Sequence, residues 1–314
     1  MQLIRSDINI DFIGRRKIAL MVSALMILIS LGTLAVKGLN FGIDFTGGTL
    51  VEVKFDQAPS IADVRASISP KGYGNAVIQE FGSPEEILIR VQNKDSENSS
   101  TISNALLDAL GEKFGADAIE MRRVEFVGPQ VGEELTRAGI MAVLVAMLAI
   151  LVYVTFRFEF RFALGADAAL LHDITIVIGL FSLTGKEFSL PVIAALLTVI
   201  GYSLNDTIVV FDRIRENFAI NNKRKKPDHE YNVVNGSINQ TLARTLMTSF
   251  TTLLVVFALF ILGGEVIHDF AFALIVGILV GTYSSIYVAS PVMLSLAGRF
   301  KADDDEIKAM EARP

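Results

Sequence analysis

A polytopic α-helical membrane protein, with six transmembrane helices and a small α+β ferredoxin-like domain between helices one and two, is the fold class that three features predict. Six apolar runs each reach the ~20 residues that a helix needs to cross a bilayer. The stretch 37–137, between the first two runs, is polar and mixed instead. Lys and Arg gather beside alternate ends of the runs, as the positive-inside bias requires. Composition agrees, with 52% of the 314 residues hydrophobic and a mean hydropathy of +0.49. Cysteine is absent, which excludes a disulfide framework, a zinc–thiolate site and a thiol nucleophile. The net charge of −6 comes without a groove-sized basic patch, so nucleic acid is not an expected partner.

Residues 1–17 carry Arg5, Arg15, Arg16 and Lys17, and the uncharged run 18–36 follows. That run exceeds the about 7–15 residues of a signal-peptide core. Lys37-Gly38-Leu39 follows it rather than a small-residue cleavage site. It therefore reads as an uncleaved first span with a cytoplasmic N-terminus.

Within 37–137, Thr49–Phe55 alternates as a strand, and Ser60–Ser69 is helical with Ile61, Val64 and Ile68 on one face. Ala76–Phe81 and Glu86–Val91 form strands around Gly82-Ser83-Pro84, a hairpin signal. Ser103–Phe114 returns to helical spacing through Leu106, Leu107 and Leu110, and Ile119–Val127 is a last strand. The order β-α-β-β-α-β is that of the ferredoxin-like split unit. Asn93–Thr101 is a polar loop offering a Ser or Thr helix cap.

The other spans are 138–156, 162–185, 188–211, 245–264 and 270–298, with 299–314 as a tail. The last is long enough to tilt, or to break at Pro291. Arg157 and Arg161, the cluster from Arg213 to Lys226, and Arg299, Lys301, Lys308 and Arg313 join the N-terminal basic residues on one side. Lys186 alone stands in the opposite short loops. Both termini are then cytoplasmic and 37–137 is external. The run 223–226 is a topology determinant, with lipid headgroup contact secondary.

Chemistry concentrates in span four and its neighbours. Asp206 sits inside an apolar run, where an acid costs ~2.5–3.5 kcal/mol and needs a proton, a partner or water. It reads either as a helix-packing group held by Asn205 and a nearby backbone, or as part of a pathway. Asp173 lies roughly 16 Å into span three, with Asp167 nearer the start of that span. His172 beside it is expected to face elsewhere, since helical neighbours diverge by about 100°. For His172 and Asp173, packing and a secondary relay both stay open. Arg244, at the start of span five, is either a snorkelling anchor or a partner for Asp206. Arg213 is about 10 Å along the helix from Asp206, too far for direct contact.

Gly42–Gly48 (GIDFTGG) is a structural motif outside span one. Gly47 and Gly48 allow positive φ and close backbone approach, and Asp44 could cap a helix or bind a cation, though one acid is poor evidence for a metal. Gly277, Gly281, Ser284 and Ser285 recur near helical spacing and predict a face for close contact with a partner of like architecture. No Walker A, GxSxG or HExxH sequence occurs, so neither an ATPase nor a hydrolase is expected, and no metal site.

GIDFTGGTLVEV at 42–53, ALLHD at 169–173, GYSLNDTIVVFDRIRE at 201–216 and GTYSSIYVAS at 281–290 together resemble the SecF protein-export membrane proteins of the SecD/SecF family, in the resistance-nodulation-division superfamily. The likeness spans essentially the whole chain. It implies an inner-membrane Sec translocase subunit that works with SecD and uses the proton motive force to promote preprotein release from the SecYEG channel on the periplasmic side. It places the external domain in the periplasm and matches Asp206 and Arg244 to the family's charged pair in proton flow. The implied partners are SecD, SecYEG, YajC, unfolded preproteins and lipid; protons are the coupling ion, with no cofactor. Two other classes remain open: a proton-driven small-molecule or lipid exporter of the same superfamily, and a passive translocase scaffold.

Overall fold

The computed structural model describes residues 9–92 and 98–296. Arg5, most of the expected 93–101 loop and the tail 299–314 lie outside the described residues.

Among the described residues, six helices are long and apolar enough to span a membrane. Helix α1 (Arg16–Lys37) ends at Gly38 and leads into a two-residue strand β1 (Asn40–Phe41) and a single turn α2 (Ile43–Thr46). The domain that follows comprises β2 (Gly48–Phe55), α3 (Ile61–Ile68), β3 (Val77–Phe81), β4 (Ser83–Val91), α4 (Ser99–Phe114) and β5 (Ile119–Val127). Its antiparallel sheet has the strand order β3-β4-β2-β5, so the first and third strands are central. Val51, Val53, Ile87 and Ile89 project from one sheet face against Val64, Ile68, Ile102, Leu106 and Leu110 of the two helices. Ser60 caps α3 by accepting from the Asp63 N–H, and α4 begins four residues earlier than its apolar spacing suggests.

Five long helices follow among the described residues: α5 (Pro129–Arg157), α6 (Phe160–Thr184), α7 (Leu190–Asn222), α8 (Glu230–Leu262) and α9 (Glu265–Ser284). A second short strand, β6 (Glu187–Phe188), precedes α7 and pairs in parallel with β1. Most of the spanning windows of α6, α7 and α9 are buried, whereas less than a fifth of those of α1, α5 and α8 is. The first three form the inner layer, and the others present apolar side chains outward, as lipid contact requires. Helices α7 and α8, at 33 residues each, are about 50 Å long and outreach a ~30 Å hydrocarbon core. Beyond the expected ends at 211 and 245 they continue as a polar helical pair, joined by Arg213 to Gln240 (2.5 Å) and Asn217 to Ser237 (2.8 Å).

The expected break at Pro291 is instead a π turn, Ser285–Ala289, with spanning helix continuing to Leu296. Proline has no N–H to donate and crowds the preceding turn, and widening that turn accommodates it. The Ser290 hydroxyl donates to the Ser285 carbonyl at 3.0 Å.

The face predicted for a partner is used inside the chain. A Cβ on Gly277 would lie 2.1 Å from Val199, and one on Gly281 would lie 3.0 Å from Ser203. Ser284 and Ser285 are fully buried. The small residues of α9 thus seat it against α7, the same close-packing logic applied within one bundle.

Candidate functional site: two buried acids and a clamp

The bundle has one apolar core toward the α7–α8 turn, built on Phe162, Phe211, Ile214 and Ile238, and another toward the soluble domain, built on Phe181, Val192, Leu196 and Ile278. A polar layer lies between them.

Its first centre is Asp206, only 2% exposed. The Thr248 hydroxyl of α8 donates to Oδ1 at 3.5 Å, and Ser249 donates to Oδ2 at 3.4 Å. Ser249 also shares a 2.7 Å hydrogen bond with Thr282 of α9. Both contacts to the carboxylate are near the outer limit for a hydrogen bond. Among the described residues no ion pair joins Arg244 to Asp206, and Arg244 is exposed. Thr248, one turn along the same face of α8, and its neighbour Ser249 supply the hydroxyls that reach the carboxylate. The buried Thr245 hydroxyl has no hydrogen-bond partner among the described residues.

The second centre is Asp173, 1% exposed. Its Oδ2 accepts from Ser203 of α7 at 2.6 Å and Ser284 of α9 at 2.8 Å. Its Oδ1 lies 2.9 Å from His172 Nδ1. The expectation that His172 faces elsewhere is therefore wrong. The two Cβ directions do diverge, but α6 is enclosed on several sides, and the ring folds back to its neighbour. The His172 ring stacks near Tyr283, with centroids 6.1 Å apart, and its buried Nε2 has no partner among the described residues. A His172 tautomer with the proton on Nδ1 donates to Asp173 and leaves Nε2 as a bare acceptor. Asp167, six residues earlier on α6, is half-buried with one unpartnered oxygen and joins neither centre.

Ser203 and Asp206 are three residues apart on α7, and Thr282 and Ser284 are two apart on α9. The two acids therefore flank the same α7–α9 seam about one helical turn apart. Serine and threonine were not singled out from the sequence as partners, although Thr245, Thr248 and Ser249 recur at helical spacing toward the acid.

The GIDFTGG stretch forms a clamp between the sheet domain and the start of α7. Asp44 Oδ2 accepts from the Leu190 N–H at 2.8 Å, so it caps α7, one of the two roles expected of it. Gly47 and Gly48 have φ of 66° and 130°. A Cβ on Gly47 would meet Pro129 Cα at 2.9 Å, and one on Gly48 would meet the Val91 carbonyl at 2.5 Å. Asp44→Ala should cost about 1 kcal/mol at the start of α7. Faster hydrogen exchange confined to the first turn of that helix would register the loss, and unchanged exchange there would exclude the capping role.

Arg90, on β4 and 6% exposed, binds the clamp to the domain and was not singled out from the sequence. It donates to the Phe41 carbonyl (2.7 Å), Asn40 Oδ1 (3.2 Å) and Gln79 Oε1 (2.8 Å), and stands 3.6 Å from Glu187. Burial pushes the Glu187 carboxyl up from its ordinary range, partly offset by Arg90. Burial likewise lowers Arg90, with Glu187 opposing. Asp269 of α9 accepts from the Glu187 N–H at 3.1 Å and pairs with Lys186 at 2.7 Å. The signal was a lone arginine in the apolar second half of its strand, ILIRV.

The sequence matches two family profiles: "Protein export membrane protein SecD/SecF, C-terminal" over residues 107–299, and "SecD/SecF GG Motif" over 32–59. The SecF protein translocase subunit of Magnetococcus marinus is 55% identical over 296 residues, 94% of each chain. That of Vibrio alginolyticus is 50% identical, covering 94% of this chain and 92% of its own. The crystal structure of SecDF, a translocon-associated membrane protein from Thermus thermophilus, superimposes with a TM-score of 0.84 at 41% identity. The match covers 95% of this chain but 40% of the SecDF chain, so this chain spans about two fifths of that protein. By these matches the chain belongs to the SecD/SecF family of protein-export membrane proteins.

Proposed function

We propose that this multi-pass inner-membrane protein is an accessory subunit of the Sec protein translocase that, with SecD, couples proton movement to preprotein export. The translocase role follows from the relatives' shared name and their identity over nearly the whole chain. The observation that carries the coupling is Asp206: a carboxyl buried between three helices, held by two long hydroxyl contacts and lacking an ion-pair partner among the described residues. An acid in that setting changes its bonding when it gains or loses a proton, and Thr248, Ser249 and Thr282 extend the change to α8 and α9. Arg244, exposed on α8, acts on the acid at longer range or across the SecD contact. His172 and Asp173 serve as a secondary relay one turn away.

The length mismatch with SecDF supports SecD as the partner that supplies the rest. SecYEG, YajC and an emerging unfolded preprotein complete the assembly. The domain 37–137 stands in the periplasm and the α7–α8 turn in the cytoplasm, as the basic-residue asymmetry supports. In this cysteine-free chain, Lys71→Cys should react with an impermeant thiol reagent only from outside, and Lys225→Cys only from the cytoplasm. The reverse pattern would invert the map. Export from reconstituted vesicles containing SecYEG and SecD, with and without a proton gradient, tests the function itself. Equal export under both conditions would leave a passive scaffold.

A further inference from the structure

A serine or threonine inside a helix commonly donates its hydroxyl proton to a carbonyl one turn back. Among the described residues of α8, Ser237, Thr241, Thr248, Thr251 and Thr252 do so, at 2.7–3.1 Å. Ser249 and Thr245 do not. They stand four residues apart on one face, 4% and 1% exposed. Ser249 bonds Asp206 and Thr282. Thr245, one turn nearer the α7–α8 turn, has no partner among the described residues. Val210, one turn past Asp206 on α7, is buried and apolar and offers it no acceptor.

Asp206 is short of donors. A hydroxyl has one proton to give. That of Thr248 has carbonyls of its own helix at 2.9 and 3.1 Å, against 3.5 Å for Asp206. That of Thr282 goes to the Ile278 carbonyl at 2.8 Å, so the 2.7 Å bond between Thr282 and Ser249 takes the Ser249 proton. With these shorter bonds made, neither hydroxyl beside the carboxyl has a proton left for it. The arrangement serves the protonated acid, which donates to the Ser249 oxygen. An ionised carboxylate only accepts, and buried it needs a donor. Asp173, by contrast, has hydroxyls at 2.6 and 2.8 Å.

We propose that Thr245 is a positioning residue for the ionised form of Asp206: when the proton leaves, the carboxylate swings toward the α7–α8 turn and takes the Thr245 hydroxyl as its donor. This rests on Asp206 as the coupling acid and adds a second position for it. Side chains one turn apart on a helix face are about 5–6 Å apart at Cβ, a gap that rotation of the two side chains covers. The acid then bonds Ser249 when neutral and Thr245 when charged, so a proton moves it along α8. The charged and titratable groups on the helices around it are Arg244 of α8 and, along the α7–α9 seam, Asp173 with His172 of α6; α9 presents the Thr282 hydroxyl.

The test uses the full chain with SecD in inner-membrane vesicles and dicyclohexylcarbodiimide, a lipid-soluble reagent that reacts with a carboxyl while it is protonated. Mass spectrometry of the Asp206 peptide follows the protonated fraction as pH is raised, with Asp206→Asn as the blank. Thr245→Val keeps the shape and removes the donor. It should keep Asp206 reactive to about one pH unit higher, raising modification on the alkaline side about tenfold, the order for a hydrogen bond to a charged group. Thr245→Ser, which keeps the hydroxyl, should match the native chain. Asp173, with its own two donors, is the internal control. No shift at Asp206 in Thr245→Val would overturn the proposal. So would an equal rise at Asp173, the mark of a loosened bundle, or a shift in Thr245→Ser as large as in Thr245→Val, the mark of packing. If Thr245→Val does not assemble, Thr245→Ala carries the same comparison. The readout needs no export: full gradient stimulation in Asp206→Asn would remove the coupling role and leave the Thr245 result standing.

Discussion

Asp206→Asn should assemble with SecD and fold normally, yet export should fall to its level without a proton gradient. Asparagine keeps the size of the side chain and one oxygen for Thr248 or Ser249, but it cannot ionise. The hydroxyl contacts it disturbs are 3.4 and 3.5 Å long, so the structural loss should stay below ~1 kcal/mol. The driving term removed is larger, about 2.3 kcal/mol per charge for each 100 mV of membrane potential. A packing role makes the opposite forecast: asparagine tolerated in export, bulkier residues destabilising the bundle. Arg244→Lys, which keeps the charge on an exposed flank, should retain part of the stimulation. Asp173→Asn distinguishes a relay from a structural hub, because Ser203 and Ser284 still have an acceptor while His172 loses a carboxylate. Full gradient stimulation in Asp206→Asn would take that residue out of the proton path and move attention to Asp173.

Arg90→Met should loosen the soluble domain from the bundle, by about 3–5 kcal/mol, the range for removing one member of a buried charge pair. Three acceptors on β1 and β3 lose their donor together, and Glu187, its side chain 18% exposed, loses its counter-charge. Limited proteolysis between β1 and β2, and exchange at the β1–β6 pair, read the release directly. The defect should be pH-dependent. Burial already raises Glu187, and without Arg90 it rises further, so the docked state binds this proton more readily than the released one. Docking then weakens as pH climbs through that raised range and recovers as pH falls and Glu187 becomes neutral. Intact docking at neutral pH in Arg90→Met would mean that the apolar contacts and Asp44 suffice.

The membrane spans were legible because each is a long apolar run, a signal carried by neighbouring residues alone. Their ends were not. Helices α7 and α8 pass the hydrocarbon boundary as polar helix, where hydropathy falls to loop values while Gln240, Asn217 and Ser237 hold the pair together. The β1–β6 pairing joins two dipeptides far apart in sequence, too short for any periodic signal. Asp206 stood out because an acid in an apolar run is costly wherever its partners lie. Those partners were hidden because they depend on how α7 and α8 are set along each other: the hydroxyls at the carboxylate come from Thr248 and Ser249, one turn along α8 from the exposed Arg244. The glycines and serines of α9 announced close packing but not its object, since spacing on one helix does not say whether a neighbour belongs to the same chain.

The π turn at Ser285–Ala289 amounts to one residue stored between α9 and the helical turns that run on to Leu296. An α-helix advances about 100° per residue. Excising a single residue from the turn would therefore rotate everything beyond it by roughly that angle relative to Ser284. Met293, now fully buried with its Cβ 3.2 Å from where a side chain on Gly165 would begin, would swing off that notch. Ser284 would keep its grip on Asp173. The turn is thus a phase joint, allowing the half of the helix at the buried acid and the half toward the α7–α8 turn each to satisfy its own neighbours.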